Sequence, residues 1–280
     1  MPRKYSDRLR RAPVEAHHFE ALGTNCSLFA VGQSRGGLLE GEFWVRRLGA
    51  KLTRFSADSE LSRFNASAGR WADVTPELEA LLRESLSAFE KSAGLVNVAV
   101  LRSMEAVGYT RPLSEGLPVA TEPRVCPLPA LPDVLSLRPG AARLEPGAGI
   151  DLGGIAKGWM ADRLRDSLGP NALANLGGDL SAIGLGPAGD GWPVGLGTTT
   201  LLLRDQGAAT SSVRRRCWGE YHHLIDPRTG LPARTGLEEI SVVATNGVEA
   251  EVVAKAALLL GPELAPVYCA AHALAWWLSP

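Results

Sequence analysis

A glycine pair that leads into an amphipathic helix is the pattern in this chain best suited to chemistry. Gly153 and Gly154 precede the helix, and Lys157 falls in its first turn. Backbone N–H groups at a helix start, next to a lysine ammonium, suit the negative charge of a pyrophosphate. Glycine also allows the chain to approach a ligand closely. The same residues fit a strand-to-helix turn that serves packing alone, so the pattern leaves both interpretations open.

A second glycine pair, Gly177 and Gly178, follows an apolar strand segment and precedes Asp179. A carboxylate at the tip of such a turn could accept hydrogen bonds from a ribose or from an adenine amine. It could equally bond the backbone of its own turn, as aspartate often does. Taken alone, this motif is weak.

A third polar segment joins residues 209–212 to residues 223–230. His223 begins a turn whose Asp-Pro and Thr-Gly pairs fix the backbone, so its imidazole could act as a general base or contact a ligand near neutral pH. The alternative is a histidine at a strand end that bonds a neighbouring carbonyl. His222 and the pair His17-His18 are expected to be ordinary polar residues.

The elements that must position these residues follow from the periodicity of the chain. A hairpin or bent strand is predicted at residues 18–31, and a polar loop at residues 56–70. Apolar residues at helical spacing predict helices at 38–52, from Pro76 onward, at 154–168 and at 248–260. Strands are predicted at 172–176, 192–196, 201–204, 222–225 and 240–244. The class is mixed α/β, and a proline-rich stretch at 112–146 is the candidate connection between two lobes.

Composition limits the class of protein. The chain has 280 residues, enough for one large domain or two small ones, and its formal net charge of −1 argues against a general polyanion-binding surface and a nucleic-acid partner. No apolar run approaches the roughly 20 residues that span a bilayer, and the basic start is not followed by an apolar run of signal-peptide length. The four cysteines are far apart and expected to be reduced and mostly buried. We therefore expect a soluble, cytoplasmic protein without a membrane partner.

Together and in this order, the motifs resemble the FAD:protein FMN transferase (ApbE-like) family. Ala-Leu-Gly-Thr at residues 21–24 is similar to the family's early Met-Gly-Thr, and Glu-Leu-Ser-Arg-Phe-Asn at residues 60–65 is similar to its Ser-x-x-Asn loop. The resemblance continues through residues 151–162, 175–179, 192–196, 209–211 and 223–230. It covers roughly residues 19–262, and seven motifs in the right order argue against coincidence.

The resemblance implies an enzyme that cleaves the pyrophosphate of FAD and attaches FMN, through a phosphoester, to a Thr or Ser hydroxyl of a target flavoprotein. It implies a mixed α/β, two-lobed, T-fold-like architecture with the ligand cleft between the lobes. The single domain would span residues 18–262, after a flexible segment at 1–17 and before a C-terminal extension at 263–280.

Carried over position by position, the family's flavin and phosphate contacts fall on the first glycine turn and on a set of polar side chains. These residues are Gly153, Gly154, Asn65, Lys157, Asp179, Ser211 and His223. The resemblance implies that His223 assists deprotonation of the acceptor hydroxyl and that Lys157 shares in catalysis.

The resemblance also implies Mg²⁺, and here the sequence departs from the family. The family's ligands are a backbone carbonyl near the glycine turn, matched by Ala156, then an Asp and, four residues later, a Thr or Asp. Glu251 and Lys255 occupy these last two positions, and an ammonium has no acceptor with which to ligate a metal. Asn97 stands in place of a further Asp, and Ser212 replaces a common Gly. Mg²⁺ is therefore doubtful.

Two interpretations of Lys255 follow. Its ammonium could stand where the metal charge would be and neutralise the phosphates itself. Alternatively, Glu251 and Lys255 form an ordinary i, i+4 pair in a site that is no longer catalytic, and an error in the alignment of this helix is a third possibility. The expected function is FMN transfer, with a non-catalytic FAD-binding protein, or an FAD hydrolase that releases FMN and AMP, as alternatives.

Overall fold

The fold is described from a computed structural model, which describes residues 13–116, 119, 123–196 and 199–279. The helices are α1 (Arg35–Leu52), α2 (Glu60–Ala66), α3 (Pro76–Lys91), α4 (Leu101–Ala106), α5 (Leu131–Val134), α6 (Ala156–Ser167) and α7 (Gly247–His272), with a 3-10 turn at Leu113–Glu115. The strands are β1 (Val14–Ala21), β2 (Thr24–Val31), β3 (Trp71–Asp73), β4 (Leu135–Arg138), β5 (Ala141–Leu144), β6 (Ala172–Leu176), β7 (Asp179–Ile183), β8 (Trp192–Leu196), β9 (Thr199–Leu203), β10 (Gln206–Ser212), β11 (Cys217–Trp218), β12 (Tyr221–His222), β13 (Ile225–Asp226), β14 (Leu231–Pro232), β15 (Glu239–Ala244) and β16 (Ala275–Ser279). The expected mixed α/β class is confirmed.

An antiparallel seven-stranded sheet, in the order β1-β2-β6-β7-β10-β15-β16, forms the centre of the part described. The helices α1, α6 and α7 pack on it. Successive residues of a strand point to opposite faces, and in β6 Ala174 and Leu176 lie in the core shared with α1 and α6, whereas Leu173 packs with Trp192 of β8. The sheet is therefore buried on both faces, which explains why its strands read as apolar runs.

The start of α7 is fixed against α6 by one carboxylate. Asn246 caps α7 by accepting a hydrogen bond from the Glu249 N–H at 2.9 Å. Asp162 of α6 accepts hydrogen bonds from the N–H groups of Gly247, at 2.6 Å, and Val248, at 3.0 Å. These bonds satisfy N–H groups that have no partner within the helix. The first turns of α7 therefore lie in a defined position beside α6.

The close approach of α6 and α7 depends on Gly158, so we expect Gly158→Ala to destabilise the protein. A Cβ atom there would lie 2.6 Å from the carbonyl oxygen of Gly247, a backbone atom that cannot rotate away. Overpacking of this kind lowers the free energy of unfolding by about 1–3 kcal/mol. Urea denaturation followed by circular dichroism measures the change.

Gly36→Ala in α1 is the matched control for that substitution. Gly36 is exposed, and the nearest atom to its added Cβ would be Ser34 Oγ at 3.5 Å, an ordinary contact. Both variants gain the helix propensity of alanine, at most about 1 kcal/mol, but only Gly158→Ala adds a clash. Equal stability of the two variants would contradict the packing role of Gly158.

Three sequence predictions about local structure are wrong. β1 begins at Val14, so residues 14–17 belong to a strand and not to the predicted flexible segment, whose residues 1–12 lie outside those described. The predicted polar loop at 56–70 contains α2, whose start is capped by Ser59 Oγ accepting from the Ser62 N–H at 2.9 Å. The predicted strand at 222–225 is divided between β12 and β13. Of these elements, α2, β12 and β13 are too short for periodicity to reveal.

The helix predicted at 248–260 ends at Gly261 as predicted, and a second helical segment, which was not predicted, follows it to His272. Gly261 has φ of 80°, a left-handed conformation that interrupts the helix, and Pro262 starts the continuation. By length and composition alone α7 would suffice to cross a membrane, which the sequence did not predict. More than half of its most apolar window is buried inside the protein, as in the core helix of a globular fold.

The C-terminal segment completes the main sheet. β16 pairs with β15, with Trp276 packed against the core around α7 and Trp277 against the opposite face. Residues 263–279 are thus part of the core architecture and not an appendage. The predicted connection at 112–146 holds the 3-10 turn, α5 and the β4–β5 hairpin, while its residues 117, 118 and 120–122 lie outside those described.

Candidate functional site

A pocket of about 810 Å³ opens at the end of the main sheet formed by the β1–β2 and β6–β7 turns. Its walls come from the end of α1, the loop before α6, the end of β10 and the inner face of α7. It brings together most of the residues that the sequence predicted: Gly153, Gly154, Ala156, Lys157, Asp179, Ser211, His223, Glu251 and Lys255. This convergence makes the pocket the candidate site.

Asp151 fixes the first glycine loop. Its Oδ1 accepts a hydrogen bond from the Gly153 N–H at 2.8 Å, and its Oδ2 accepts one from Arg54 Nε at 2.5 Å. The guanidinium carbon of Arg54 lies 4.2 Å from the ring centroid of Phe55 and 4.6 Å from that of Tyr109. Its buried Nη2 has no hydrogen-bond partner among the residues described. The loop is therefore held by hydrogen bonds on both oxygens of Asp151, and it is flanked by a cation with an unused donor.

The second glycine turn is closed by Asn175. The Gly178 N–H donates to Asn175 Oδ1 at 2.9 Å. Gly177 has φ of 73°, which favours glycine, and a Cβ there would lie 2.5 Å from the Thr24 side chain. The turn N–H that Asp179 could have bonded is thus taken by Asn175. Asp179 lines the pocket instead.

Lys157 and Asp179 form a buried ion pair. The Lys157 Nζ contacts Asp179 Oδ2 and lies 3.9 Å from Glu251 Oε1, and the two paired side chains are 15% and 4% exposed. Burial lowers the pKa of Lys157 to about 8, with Glu251 opposing the shift. Because that pKa remains above 7, the ammonium is still mostly charged at neutral pH. The ammonium of the pair lies at the start of α6. A helix start itself favours a bound anion, so the two positive ends act together on such a ligand.

Glu251 and Lys255 reach the glycine loop from α7. Glu251 Oε2 accepts a hydrogen bond from the Gly158 N–H at 2.9 Å, and its Oε1 lies 3.8 Å from Lys255 Nζ. Lys255 Nζ also donates to the carbonyl oxygen of Gly154. Burial lowers the pKa of Lys255, while the neighbouring Glu251 carboxylate opposes the shift. One carboxylate is thus held between a backbone N–H and two ammonium groups.

His223 lines the pocket with an unused ring nitrogen. Its buried Nδ1 has no hydrogen-bond partner among the described residues, and burial, followed by the charges of Arg216 and Lys255, lowers its pKa well below the usual value. The imidazole is therefore neutral at pH 7. His222, expected to be an ordinary polar residue, is instead buried, with Nε2 placed 2.9 Å from the Ala233 carbonyl oxygen. The two neighbouring histidines have different environments.

Two asparagines singled out from the sequence use both ends of their amides within the fold. Asn65, expected to contact the ligand, is not among the pocket's lining residues. It clamps Ile150, donating to its carbonyl at 2.9 Å and accepting from its N–H at 2.8 Å. Asn97 lines the pocket but donates to the Pro129 carbonyl at 2.9 Å and accepts from the Ala99 N–H at 2.9 Å. Contact between Asn65 and the ligand stays a prediction; in the structure Asn65 positions the chain that enters the glycine loop.

The sequence interpretation missed the arginines of the pocket. The described lining residues carry the cations Arg46, Arg54, Lys157, Arg215, Arg216 and Lys255, against the carboxylates Asp151, Asp179 and Glu251. Arg216 has φ of 50°, uncommon outside glycine, and its N-terminal neighbours at 214 and 215 are also arginines. That run of three basic residues was the available signal. The excess of positive charge suits an anionic ligand with more than one phosphate.

The described residues do not fit a divalent cation. No group of three or more His, Cys, Asp or Glu side chains in the described part of the chain is placed to hold a metal ion. Ala156, whose carbonyl the resemblance made a metal ligand, lines the pocket, but the carbonyl that Lys255 reaches is that of Gly154, which already accepts a hydrogen bond from the ammonium. Hard cations require several free oxygen ligands, which this arrangement does not offer.

The fold and the pocket define an α/β protein with a rigid, positively charged cleft between two glycine turns. Residues 22–276 match the family model described as the ApbE family. This chain belongs to that family. The predicted resemblance is confirmed.

Named relatives agree with that assignment. The FAD:protein FMN transferase of Treponema pallidum is 32% identical in an alignment of 252 positions that covers 74% of this chain and 66% of that protein. The FAD:protein FMN transferase of Haemophilus influenzae is 26% identical in an alignment of 247 positions that covers 79% of this chain and 71% of that protein. The match thus spans just under two thirds of the Treponema pallidum relative.

Solved structures share the fold. The apo form of the flavinyl transferase ApbE of Pseudomonas stutzeri matches with a TM-score of 0.83 and 22% identity, covering 96% of this chain and 92% of that one. The ApbE protein of Thermotoga maritima matches with a TM-score of 0.83 and 24% identity, covering 95% and 94%. These matches confirm the predicted ApbE-like architecture.

Proposed function

We propose that this protein transfers FMN from FAD to a Thr or Ser hydroxyl of an acceptor flavoprotein. The observation that carries the proposal is the positively charged pocket between two glycine turns, in a chain of the ApbE family. Relatives named FAD:protein FMN transferase support it. A dinucleotide with a central pyrophosphate matches the charge of the lining.

The proposed reaction is a phosphoryl transfer. The acceptor hydroxyl oxygen forms a bond with the flavin-side phosphorus of FAD, the bond from that phosphorus to the bridging oxygen breaks, and AMP leaves with the bonding electron pair. The hydroxyl proton passes to a base. Catalysis of such a transfer requires that the reactants be positioned and that negative charge on the phosphates be stabilised.

The residues of this chain supply both requirements. Lys157, at the start of α6, and Arg216 are the cations next to the glycine loop and His223, and they would stabilise charge on the pyrophosphate. His223 is neutral and its Nδ1 is free to accept a proton. Ser211 lines the same pocket and would contact the ligand. His223 is therefore the proposed base.

One observation favours a second candidate function, that of a non-catalytic FAD-binding protein. Lys255 occupies the space beside Gly154 and Glu251 and leaves no divalent cation site there. A third outcome, hydrolysis of FAD to FMN and AMP, would follow if water took the place of the acceptor hydroxyl.

Incubation with FAD and a peptide that bears an acceptor Thr separates these functions. A peptide that gains the mass of FMN through a phosphoester, together with release of AMP, is the expected result. AMP without an adduct would indicate hydrolysis. FAD binding without turnover would indicate a binding protein, and absence of FAD binding at millimolar concentration would overturn the proposal altogether.

We also infer that the acceptor protein meets this enzyme in the cytoplasm. Within the described residues all four cysteines are free: Cys26 and Cys269 are buried, whereas Cys126 and Cys217 are exposed. The expectation of mostly buried thiols thus holds for two of them. Free exposed thiols fit a reducing compartment, and cell fractionation tests the inference.

A further inference from the structure

The ammonium of Lys255 lies at the centre of the candidate site. It donates to the carbonyl oxygen of Gly154 and lies 3.8 Å from Glu251 Oε1, and its side chain is only 15% exposed. A Cβ added to Gly154 would lie 2.3 Å from Lys255 Nζ, so the absence of a side chain at Gly154 lets the ammonium approach the glycine loop. Lys255 also lines the pocket with Lys157 and His223. The fold thus holds a fixed positive charge at this place.

The oxygen atoms near that charge are directed at N–H groups. Glu251 Oε2 accepts from the Gly158 N–H at 2.9 Å, and its Oε1 is shared between Lys255 at 3.8 Å and Lys157 at 3.9 Å. A Mg²⁺ ion demands near-octahedral oxygen ligands. The Lys255 ammonium therefore occupies the position of a cation, and the oxygens beside it are not free to bind a metal ion.

An ordinary helix pair does not account for this arrangement. Pairs at i, i+4 that stabilise helices lie on the solvated surface and contribute only a few tenths of a kcal/mol, whereas the Glu251 side chain is 5% exposed. Ion pairs that are removed from water incur a desolvation cost that their mutual attraction often does not repay. The Lys255 ammonium also turns towards the loop carbonyl of Gly154 and the pocket. These contacts indicate a role in ligand binding and not in the helix alone.

We infer that Lys255 is a built-in cation that replaces a divalent metal ion in binding the diphosphate of FAD. The inference rests on the proposed function, because FAD supplies the diphosphate. Lys255 and Lys157 flank the Glu251 carboxylate, and both ammonium groups stabilise negative charge on the phosphates. FAD binding and FMN transfer are therefore independent of divalent cations in this protein.

Calorimetric titration of the full chain with FAD, in excess EDTA and then in millimolar Mg²⁺, tests the inference without any substitution. The expected result is the same Kd in both conditions, within about twofold, and equal rates of FMN transfer. At least about a tenfold weaker Kd in EDTA, which is the scale on which a lost charge partner acts, would overturn the inference and leave the proposed function intact. No FAD binding in either condition would overturn the proposed function, and the inference with it.

Three variants sharpen the test. Lys255→Met is expected to weaken FAD binding by at least about tenfold, whereas Lys91→Met, at the exposed end of α3, is the matched control and is expected to leave Kd unchanged. The double variant Lys255→Thr with Glu251→Asp carries the family's residue types at the two metal-ligand positions. It is expected to bind FAD more tightly than Lys255→Met only when Mg²⁺ is present. Thermal unfolding confirms that each variant is folded. Wild-type affinity in folded Lys255→Met would contradict the role of Lys255.

Discussion

Replacing His223 with alanine is expected to lower the rate of FMN transfer by about 10²- to 10⁴-fold, the usual contribution of a positioned general base. The buried Nδ1 has no hydrogen-bond partner among the described residues, so its removal breaks no bond within the protein. The imidazole is neutral because burial and the charges of Arg216 and Lys255 lower its pKa. FAD affinity and the melting temperature should therefore change little. Single-turnover transfer to an acceptor peptide at saturating FAD measures the effect.

His222→Ala is the control for His223→Ala, because the two residues are neighbours with opposite environments. His222 is 9% exposed, its Nε2 lies 2.9 Å from the Ala233 carbonyl oxygen, and its Nδ1 accepts from the Leu224 N–H at 3.2 Å. Its loss leaves buried partners unsatisfied, which costs about 1–3 kcal/mol of the free energy of unfolding. Transfer at the wild-type rate by His223→Ala would remove His223 from the mechanism.

Lys157→Met is expected to lower the free energy of unfolding by about 3–5 kcal/mol, the cost of leaving a buried charge without its partner. Asp179 is 3% exposed, and Lys157 is its ion-pair partner. The same substitution removes the cation at the start of α6, so FAD binding should also be lost. Denaturant titration and calorimetry give the two quantities separately.

The double variant Lys157→Met with Asp179→Asn separates stability from binding. Neutralising both members removes the uncompensated charge, so the double variant should recover most of the stability lost in Lys157→Met. It should not recover FAD binding, because the cation is still missing. A double variant as unstable as Lys157→Met would show that the ion pair is not the cause of the loss.

The sequence predicted the strands β2, β6 and β15 of the main sheet but missed β7, β10 and β16. β6 was predicted with the bounds that the structure gives it, because its apolar run is flanked by a loop and a glycine turn. α2 was missed because seven residues are too few to show a helical period. The continuation of α7 beyond Gly261 was missed because a glycine followed by a proline is the usual signal of a helix end. The signal itself is correct, because Gly261 breaks the helix, and the segment that follows is a second helix whose Ala265 and Cys269 pack in the core.

The candidate site was predicted in part. Lys157, Asp179, His223 and Glu251 lie in one pocket, as the order of motifs implied. The same motifs suggested that Asn65 contacts the ligand, yet its amide is used by Ile150, which lies 85 positions along the chain. A sequence motif records which residue type is needed but not whether the side chain faces the ligand or the backbone behind it. The placement of Arg54 likewise depends on Asp151, a partner 97 positions away.

The joint between α6 and α7 has a consequence for how the protein folds. Asp162 bonds Gly247 and Val248, which lie 85 and 86 positions further along the chain. The contact between Lys255 and Gly154 spans 101 positions. Contacts of such sequence separation form slowly, because the loop they close must lose its entropy before they contribute energy. The candidate site is therefore incomplete in the nascent chain until α7 has packed against α6 and the glycine loop. We expect FAD to bind only the folded protein and to raise its free energy of unfolding by mass action. We do not expect FAD to accelerate the early steps of folding.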